Sequence, residues 1–504
     1  MGELLTRPNV ILITADQWRG DCLSSLNHPV VQTPHLDALA AEAVQFRQHF
    51  TNAVPCGPSR ASLHTGLYLH NHRSGTNGTP LDSRFSNWAL ELRQLGYDPV
   101  LFGYTHTSMD PRGVDPAHHG LANDEGILPG IRPLIDMGTL CPDWRAYLQR
   151  VGYDLPELDV ATYSLRDLEQ ASPEAPTPLA ISAEHTDTHF LVDRVLDHIA
   201  ASEDPWCVHL SLRAPHPPWV AARPYHALYA MDELPSAIRQ DSVAEEQALH
   251  PWLREHLSNN RNQSHTDDGR HQKLQASYYG LMSEVDDNIG RLIAALKERG
   301  EWQNTIFIFT TDHGEQMGDH WMYGKAGFFD QSFHIPLIVY CPGVEPGVCD
   351  NFTEHVDIFP TLMDLLSVEV PRQCDGRSLL GALTGEGLSN WRSAAYYEYD
   401  FRHSAAENVL GLDMEQACLN VIRDDKYKYV HFAHLPELLF DLESDPGELD
   451  NIAPDNPEIV ARYAQQLLSW RMRTTDKTLS HYQISREYGL RDLSSGPKAA
   501  VILE

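Results

Sequence analysis

"NVILITADQWRGD", residues 9 to 21, decides the fold. A short apolar run from Val10 to Thr14 breaks into Asp16, Gln17, Trp18 and Arg19. So short a run, without polar alternation, is the pattern of a strand buried on both faces, as in parallel sheets covered by helices. Two further stretches share it, "WCVHLSL" at 206–212 and "TIFIFTT" at 305–311, each after a helical segment. The helical period is clearest over 274–296, where Leu274, Tyr278, Leu281, Val285, Ile289, Leu292 and Leu296 recur at intervals of three and four. Alternation of this kind predicts an α/β protein with a large mixed, mostly parallel sheet sandwiched by helices.

Ligands of such sheets collect at the C-terminal ends of the strands. Polar clusters stand at all three ends: Asp16 and Gln17, then Arg213 to His216, then Asp312 and His313. Segments 120–180 and 230–270 are richer in Pro, Asp, Asn, Gln and His and read as insertions. From about residue 385 the pattern changes to "NVIRDDKYKYVHF" and "ELLFDLESDPGELDNIA", then a helical stretch near 457–472. The expected division is a catalytic domain over 1–384, a smaller α+β C-terminal domain over 385–472, and a tail over 473–504. The tail, rich in Tyr, Leu and Arg, reads as an arm for a homo-oligomer, a dimer or tetramer.

Across 504 residues, 38 basic side chains face 70 acidic ones, a net charge of -32. That excludes nucleic acid and an anionic membrane surface as general partners, so an anionic substrate must be drawn in by local positive groups. The 8 cysteines are scattered without a CxxC pair, which predicts a reduced, cytoplasmic setting. The first residues lack the basic region of a secretory signal, and no apolar run approaches the roughly 20 residues of a membrane span.

"CGPSRASLHTG", residues 56 to 66, reads as one short helix, with Pro58 in its first turn and Gly66 at its end. Cys56 then lies at the helix N-terminus, beside free backbone N–H groups and the positive end of the dipole. Arg60, four residues on, returns to the same face. A lone cysteine is ordinarily a buried packing residue; this string argues otherwise.

The string resembles the signature of type I sulfatases and their relatives in the alkaline phosphatase superfamily, built on C-x-P-S-R followed by T-G. His64 departs from it, standing where an apolar residue is usual. The resemblance runs through "FTTDHGEQMGDHWMYGK" to "LFDLESDPGELDNIA", and "DQWR", "GLYLHNHR", "GYT" and "PHPP" are similar to bacterial phosphonate monoester hydrolases with phosphodiesterase activity. It implies an alkaline phosphatase-like fold and a Cys56 oxidised, by a formylglycine-generating machinery, to formylglycine, whose hydrate is the nucleophile.

The resemblance also assigns roles. Asp16, Gln17, Asp312 and His313, with the modified residue 56, hold one divalent metal ion. Most sulfatases carry a second carboxylate and an asparagine where this chain has Gln17 and His313. The site is therefore less anionic, which suits Mn2+, with Ca2+ as competitor. Such an ion lowers the pKa of a bound hydroxyl, as it lowers that of bound water from about 15.7 towards 7. Arg60 and Lys325 match residues that hold formylglycine and the ester oxygens, His216 the imidazole near the leaving group, and Asn77 and Tyr104 substrate contacts. Asp312 is the expected proton acceptor. His106 falls where sulfatases carry a catalytic histidine and phosphonate hydrolases a threonine. These residues together predict a hydrolase of monoanionic sulfate esters, arylsulfatase-like and promiscuous toward phosphonate monoesters and phosphodiesters, with the phosphonate activity as the alternative. A transferase or mutase of the superfamily would keep Ser or Thr at position 56, and a non-catalytic relic would have lost one of these residues.

Overall fold

The computed structural model describes residues 7–138, 141–157, 159–172, 174–477 and 479–493. Its centre is an 8-stranded sheet in the order Gly347–Cys349, Val44–Phe46, Leu337–Tyr340, Thr305–Thr310, Asn9–Ala15, Cys207–Leu212, Pro99–Gly103, Arg132–Asp136. Every neighbouring pair is parallel except the two made by Leu337–Tyr340. The predicted α/β class and the three apolar strands are therefore as observed.

Asn9–Ala15 explains itself by alternation. Ile11 and Ile13 enter one apolar core, Val10 and Leu12 the other, so the strand is buried on both faces. The first core is closed by the 31-residue helix Asp268–Glu298, through Tyr278, Val285, Ile289 and Leu292. The second is closed by Trp88–Gln94 and Ile358–Leu365, through Trp88, Leu92, Phe359 and Leu362. Each fully buried aliphatic side chain contributes about 1.5–3 kcal/mol. Asp267 accepts from the Arg270 N–H at 3.1 Å and caps the long helix.

A second, 5-stranded sheet runs Leu438–Asp441, Tyr427–Phe432, Cys418–Arg423, Ala395–Asp400, Ala53–Val54. Its last strand comes from far upstream and pairs in parallel with Ala395–Asp400 just before Cys56. The helix Pro457–Thr474 packs on this sheet through Tyr463, Leu467 and Trp470. Beyond it Tyr482–Ser485 pairs with Gly489–Asp492 in a hairpin that Arg372 meets through Asp492 and the Tyr482 ring; residues 478 and 494–504 of the expected arm lie outside the described residues. No described helix is long and apolar enough to cross a membrane.

Buried histidines are a recurrent feature. Burial holds His72 and His209 down at about 3, and His250 and His256 at about 4. An imidazole depressed in the folded state adds stability that is fully present above its unfolded value near 6.5 and is lost as pH falls toward the folded value. At His209 the Arg60 charge adds to burial. Whatever the absolute cost of His209→Gln, its unfolding free energy is expected to fall less steeply between pH 6 and 4, by about 1.4 kcal/mol per pH unit, than that of the native chain. Urea melts across that range check it, and equal slopes would refute a neutral buried His209.

Candidate active site

The C-terminal ends of four adjacent parallel strands, Thr305–Thr310, Asn9–Ala15, Cys207–Leu212 and Pro99–Gly103, carry the polar groups expected from sequence. Asp312 and His313 follow the first, Asp16 and Gln17 the second, Arg213 and His216 the third, Tyr104 and His106 the fourth. Gly103 (φ 123°) lets the third and fourth meet: a Cβ there would lie 2.0 Å from the Ser211 carbonyl oxygen.

Over this edge stands the helix Cys56–Thr65, all ten of whose residues are buried. Gly66 (φ 68°) ends it as the sequence predicts, donating to the Ser62 carbonyl at 3.0 Å. A second contact fixes its N-terminus: the Ser59 hydroxyl donates to the Asp312 carbonyl. His64 is a packing residue, its Nδ1 accepting from Trp88 Nε1 at 2.9 Å.

Arg60 lies beneath the site rather than in its wall. Nε donates to Asp312 Oδ2 at 2.9 Å, Nη2 to Asp16 Oδ2 at 3.1 Å, and Nη1 to Ser211 Oγ at 2.8 Å and the Tyr104 carbonyl at 3.2 Å. The guanidinium is fully buried and engaged at every nitrogen, so it orients two carboxylates instead of meeting a solvent-borne anion. Tyr104 likewise spends its hydroxyl proton on Asp16 Oδ2, although the residue also lines the cavity.

One ligand atom each of Asp16, Cys56, Asp312 and His313 lies within 4.8 Å of all the others. His313 Nδ1 donates to the Gly314 carbonyl at 3.0 Å, leaving Nε2 as a lone pair 3.2 Å from Cys56 Sγ. Asp16 Oδ1 is buried without a hydrogen-bond partner. An orphaned carboxylate oxygen among oxygen and imidazole donors fits a divalent cation.

Gln17 donates its backbone N–H to Asp312 Oδ1 at 3.1 Å, and its side-chain oxygen accepts from Lys325 Nζ at 2.8 Å. Lys325 Nζ also donates to Cys56 Sγ at 3.2 Å. Both depend on Glu315, absent from the sequence reading. That buried carboxyl accepts from Gln17 Nε2, from the Met317 N–H at 2.9 Å and from the Gly324 N–H at 2.7 Å, tying the 315–325 loop beneath Lys325. Ser211 was missed too; both belong to strand-end stretches already marked by their neighbours.

Above Cys56 opens a cavity of about 200 Å3 lined by Asp16, Asn77, Tyr104, His106, Asp124, Glu125, Met137, Arg213, His216 and Lys325. Asn77 Oδ1 accepts from the Gly57 N–H at 2.9 Å, which leaves its amide N–H2 as a donor. His106 Nε2 is buried and unpartnered. His216 Nδ1 donates to the Pro217 carbonyl at 2.6 Å, freeing Nε2.

The electrostatics follow from burial and mutual contact. Burial, then Asp16, push the Cys56 thiol up to about 12. Burial and Asp312 raise Asp16, but His216, Lys325 and Arg60 outweigh them and hold it below the ordinary carboxylate value. At Asp312 burial is overcome by His313, Arg60 and Lys325. Burial, then Lys325, bring His216 down to about 3.

The sulfatase family profile matches residues 8–368, and the profile for the N-sulphoglucosamine sulphohydrolase C-terminal region matches 318–474. A multifunctional alkaline phosphatase superfamily protein of Trinickia caryophylli, PehA, is 41% identical over 95% of this chain and 98% of its own. The crystal structure of the phosphonate monoester hydrolase of Agrobacterium radiobacter superposes with a TM-score of 0.91 at 40% identity, covering 96% and 99% of the two chains. A choline-sulfatase of Rhizobium meliloti is 28% identical over 95% of this chain and 90% of its own.

Arg60 is the counter-ion of two buried carboxylates, so Arg60→Met is expected to lower unfolding free energy by about 3–5 kcal/mol. Urea denaturation of the metal-free protein measures it, and a loss below about 1 kcal/mol would remove Arg60 from that role.

Proposed function

The chain belongs to the sulfatase family of the alkaline phosphatase superfamily, and on that premise we propose that this ester hydrolase acts first on phosphonate monoesters and phosphodiesters, with sulfate esters as a second class. The observation that carries the order is the 40% identity and 0.91 TM-score, over nearly the whole chain, to a phosphonate monoester hydrolase. These substrates share a tetrahedral centre with one negative charge. The cavity suits one charge: Lys325 stands beside Cys56, while Asp16, Asp124 and Glu125 oppose a second. His106, aimed into the cavity with Nε2 unpartnered, supports retaining sulfate esters as substrates.

Asp16, Asp312, His313 and Gln17 would hold the divalent cation, Mn2+ or Ca2+, which when bound supplies Lewis acidity that draws down the pKa of a hydroxyl beside it. Oxidised to formylglycine, position 56 supplies a hydrated aldehyde, one hydroxyl to attack and a second to release the product without another attack at phosphorus or sulfur. The chain's own residues do the rest. Asn77 N–H2 and Lys325 Nζ hydrogen-bond the non-bridging oxygens, and Lys325 stabilises charge on the departing oxygen. His216, with Nδ1 committed to Pro217, turns an acceptor nitrogen to the cavity and orients a hydroxyl there. Asp312 Oδ1 already accepts from the Gln17 and His313 backbone N–H groups and Oδ2 from Arg60 Nε, donors that favour the ionised carboxylate and so holding the ion over accepting a proton.

The C-terminal hairpin, the segment before it and the end of the preceding helix expose Ile484, Leu479, Met472, Leu468 and Leu490, Ile484 at 82%. So much apolar surface on one extension supports its reading as the arm of a homo-oligomer.

Two measurements test these readings. With Mn2+-loaded protein, aryl phosphonate monoesters and phosphodiesters are expected to show the highest kcat/KM and a phosphomonoester the lowest, alongside a residue-56 peptide with the mass loss of an aldehyde. A sulfate ester ranking first would reverse the order, and an intact thiol in active protein would end the formylglycine reading. Light scattering of a chain ending at residue 475 is expected to give a smaller assembly than the full chain; an unchanged mass removes the arm.

A further inference from the structure

We propose that Arg213 binds an acidic substituent on the leaving group, a carboxylate or phosphate carried by the departing alcohol or phenol, and so sets substrate preference. This rests on the hydrolase reading above. In a chain where acids outnumber bases by 70 to 38, basic side chains normally find a partner. Arg213 forms no close ion pair: among the described residues no carboxylate lies within ion-pair distance of it, Asp187 acting on it only through space, and its buried Nε makes no hydrogen bond. A largely buried guanidinium left so is costly, and its planar fork matches a carboxylate or phosphate with two parallel hydrogen bonds.

The group is held ready. Its guanidinium carbon lies 4.4 Å from the centre of the Tyr163 ring, a contact that fixes the plane and limits rotamer loss on binding. Its backbone carbonyl accepts from the His216 N–H at 2.9 Å, so both side chains enter the cavity from one tight turn after Cys207–Leu212.

Position assigns it to the leaving group rather than the reacting centre. Cys56 Sγ is met by Lys325 Nζ and His313 Nε2, each at 3.2 Å, and Arg213 belongs to none of those hydrogen bonds. On the far side Arg213 closes a side pocket of about 30 Å3, lined also by Asp187 and Glu284. That volume is about one water, so a ligand reaches the guanidinium from the main cavity. Asp124 and Glu125 line the same cavity and disfavour a second negative charge beside them, which directs it to Arg213.

The test uses aryl phosphonate monoesters with a carboxylate at the ortho, meta or para position, each against its carboxamide. The native enzyme is expected to favour the carboxylate through KM at one position at least. Arg213→Gln is expected to reduce that preference about ten- to a hundredfold, the worth of a charge-assisted hydrogen bond, and Arg213→Lys to keep part of it. Thermal melting and metal content check that the variants are folded. Equal losses on carboxylate and carboxamide in Arg213→Gln, or no carboxylate preference in the native enzyme, overturn the proposal alone. A loss on a phosphomonoester with a neutral leaving group as large as that on the carboxylates would assign Arg213 to the reacting group and also overturn it. Inactivity of the native enzyme on every ester overturns the hydrolase reading and the proposal together.

Discussion

Two carboxylates on neighbouring strand ends, both fully buried, would repel one another without a shared cation. Arg60 is that cation. Its donors reach Asp16, Asp312, Ser211 and the Tyr104 carbonyl, so one guanidinium ties together the ends of four strands and the helix that carries residue 56. Position 60 follows Cys56 by one helical turn, which makes the position of residue 56 and that of the two buried carboxylates a single constraint. The remaining contacts refine it: Gln17 N–H and His313 N–H on Asp312, and the Ser59 hydroxyl on the Asp312 carbonyl.

The fold was legible because its decisive signals are local. Val10 to Thr14 has no polar face, and alternate residues do enter two separate cores. The 274–296 period marks a helix whose apolar face is buried along its length. The polar residues after the strands were legible because sheet chemistry concentrates ligands there. What the sequence could not convey is partnership at a distance. Ala53–Val54 reads as an ordinary segment before Cys56, yet it completes the C-terminal sheet by pairing with a strand some 345 residues later, Ala53 lying opposite Glu398. The second sheet thereby buttresses the approach to the nucleophile.

The same limit governs the side chains. The resemblance matches Arg60 to residues that hold the modified residue 56 and the ester oxygens, and Tyr104 to a substrate contact, and neither match names the groups of this chain that answer them. In the fold both donate to the buried carboxylates, Arg60 to Asp16 and Asp312 and Tyr104 to Asp16, because a buried carboxylate must be answered by a donor within reach. Glu315 went unnoticed for the converse reason. Its work lies in three hydrogen bonds to a loop and a glutamine amide, none of which leaves a mark in spacing. It turns the Gln17 oxygen toward Lys325, so that the order within the site descends from a residue that never reaches the cavity.

The division of labour among the basic groups follows from accessibility. Arg60 is consumed internally, Lys325 is shared between Cys56 and Gln17, and Arg213 lines the cavity with its Nε unpartnered. A chain of charge -32 gains nothing from general attraction for an anionic ester, so recognition depends on where each local cation stands. On the proposed reading, a divalent cation among the carboxylates and Lys325 beside residue 56 would supply the counter-charges of the reacting centre. The Arg213 guanidinium, as proposed above, acts on what the reacting centre is attached to, which separates the chemistry of the ester from the choice of ester.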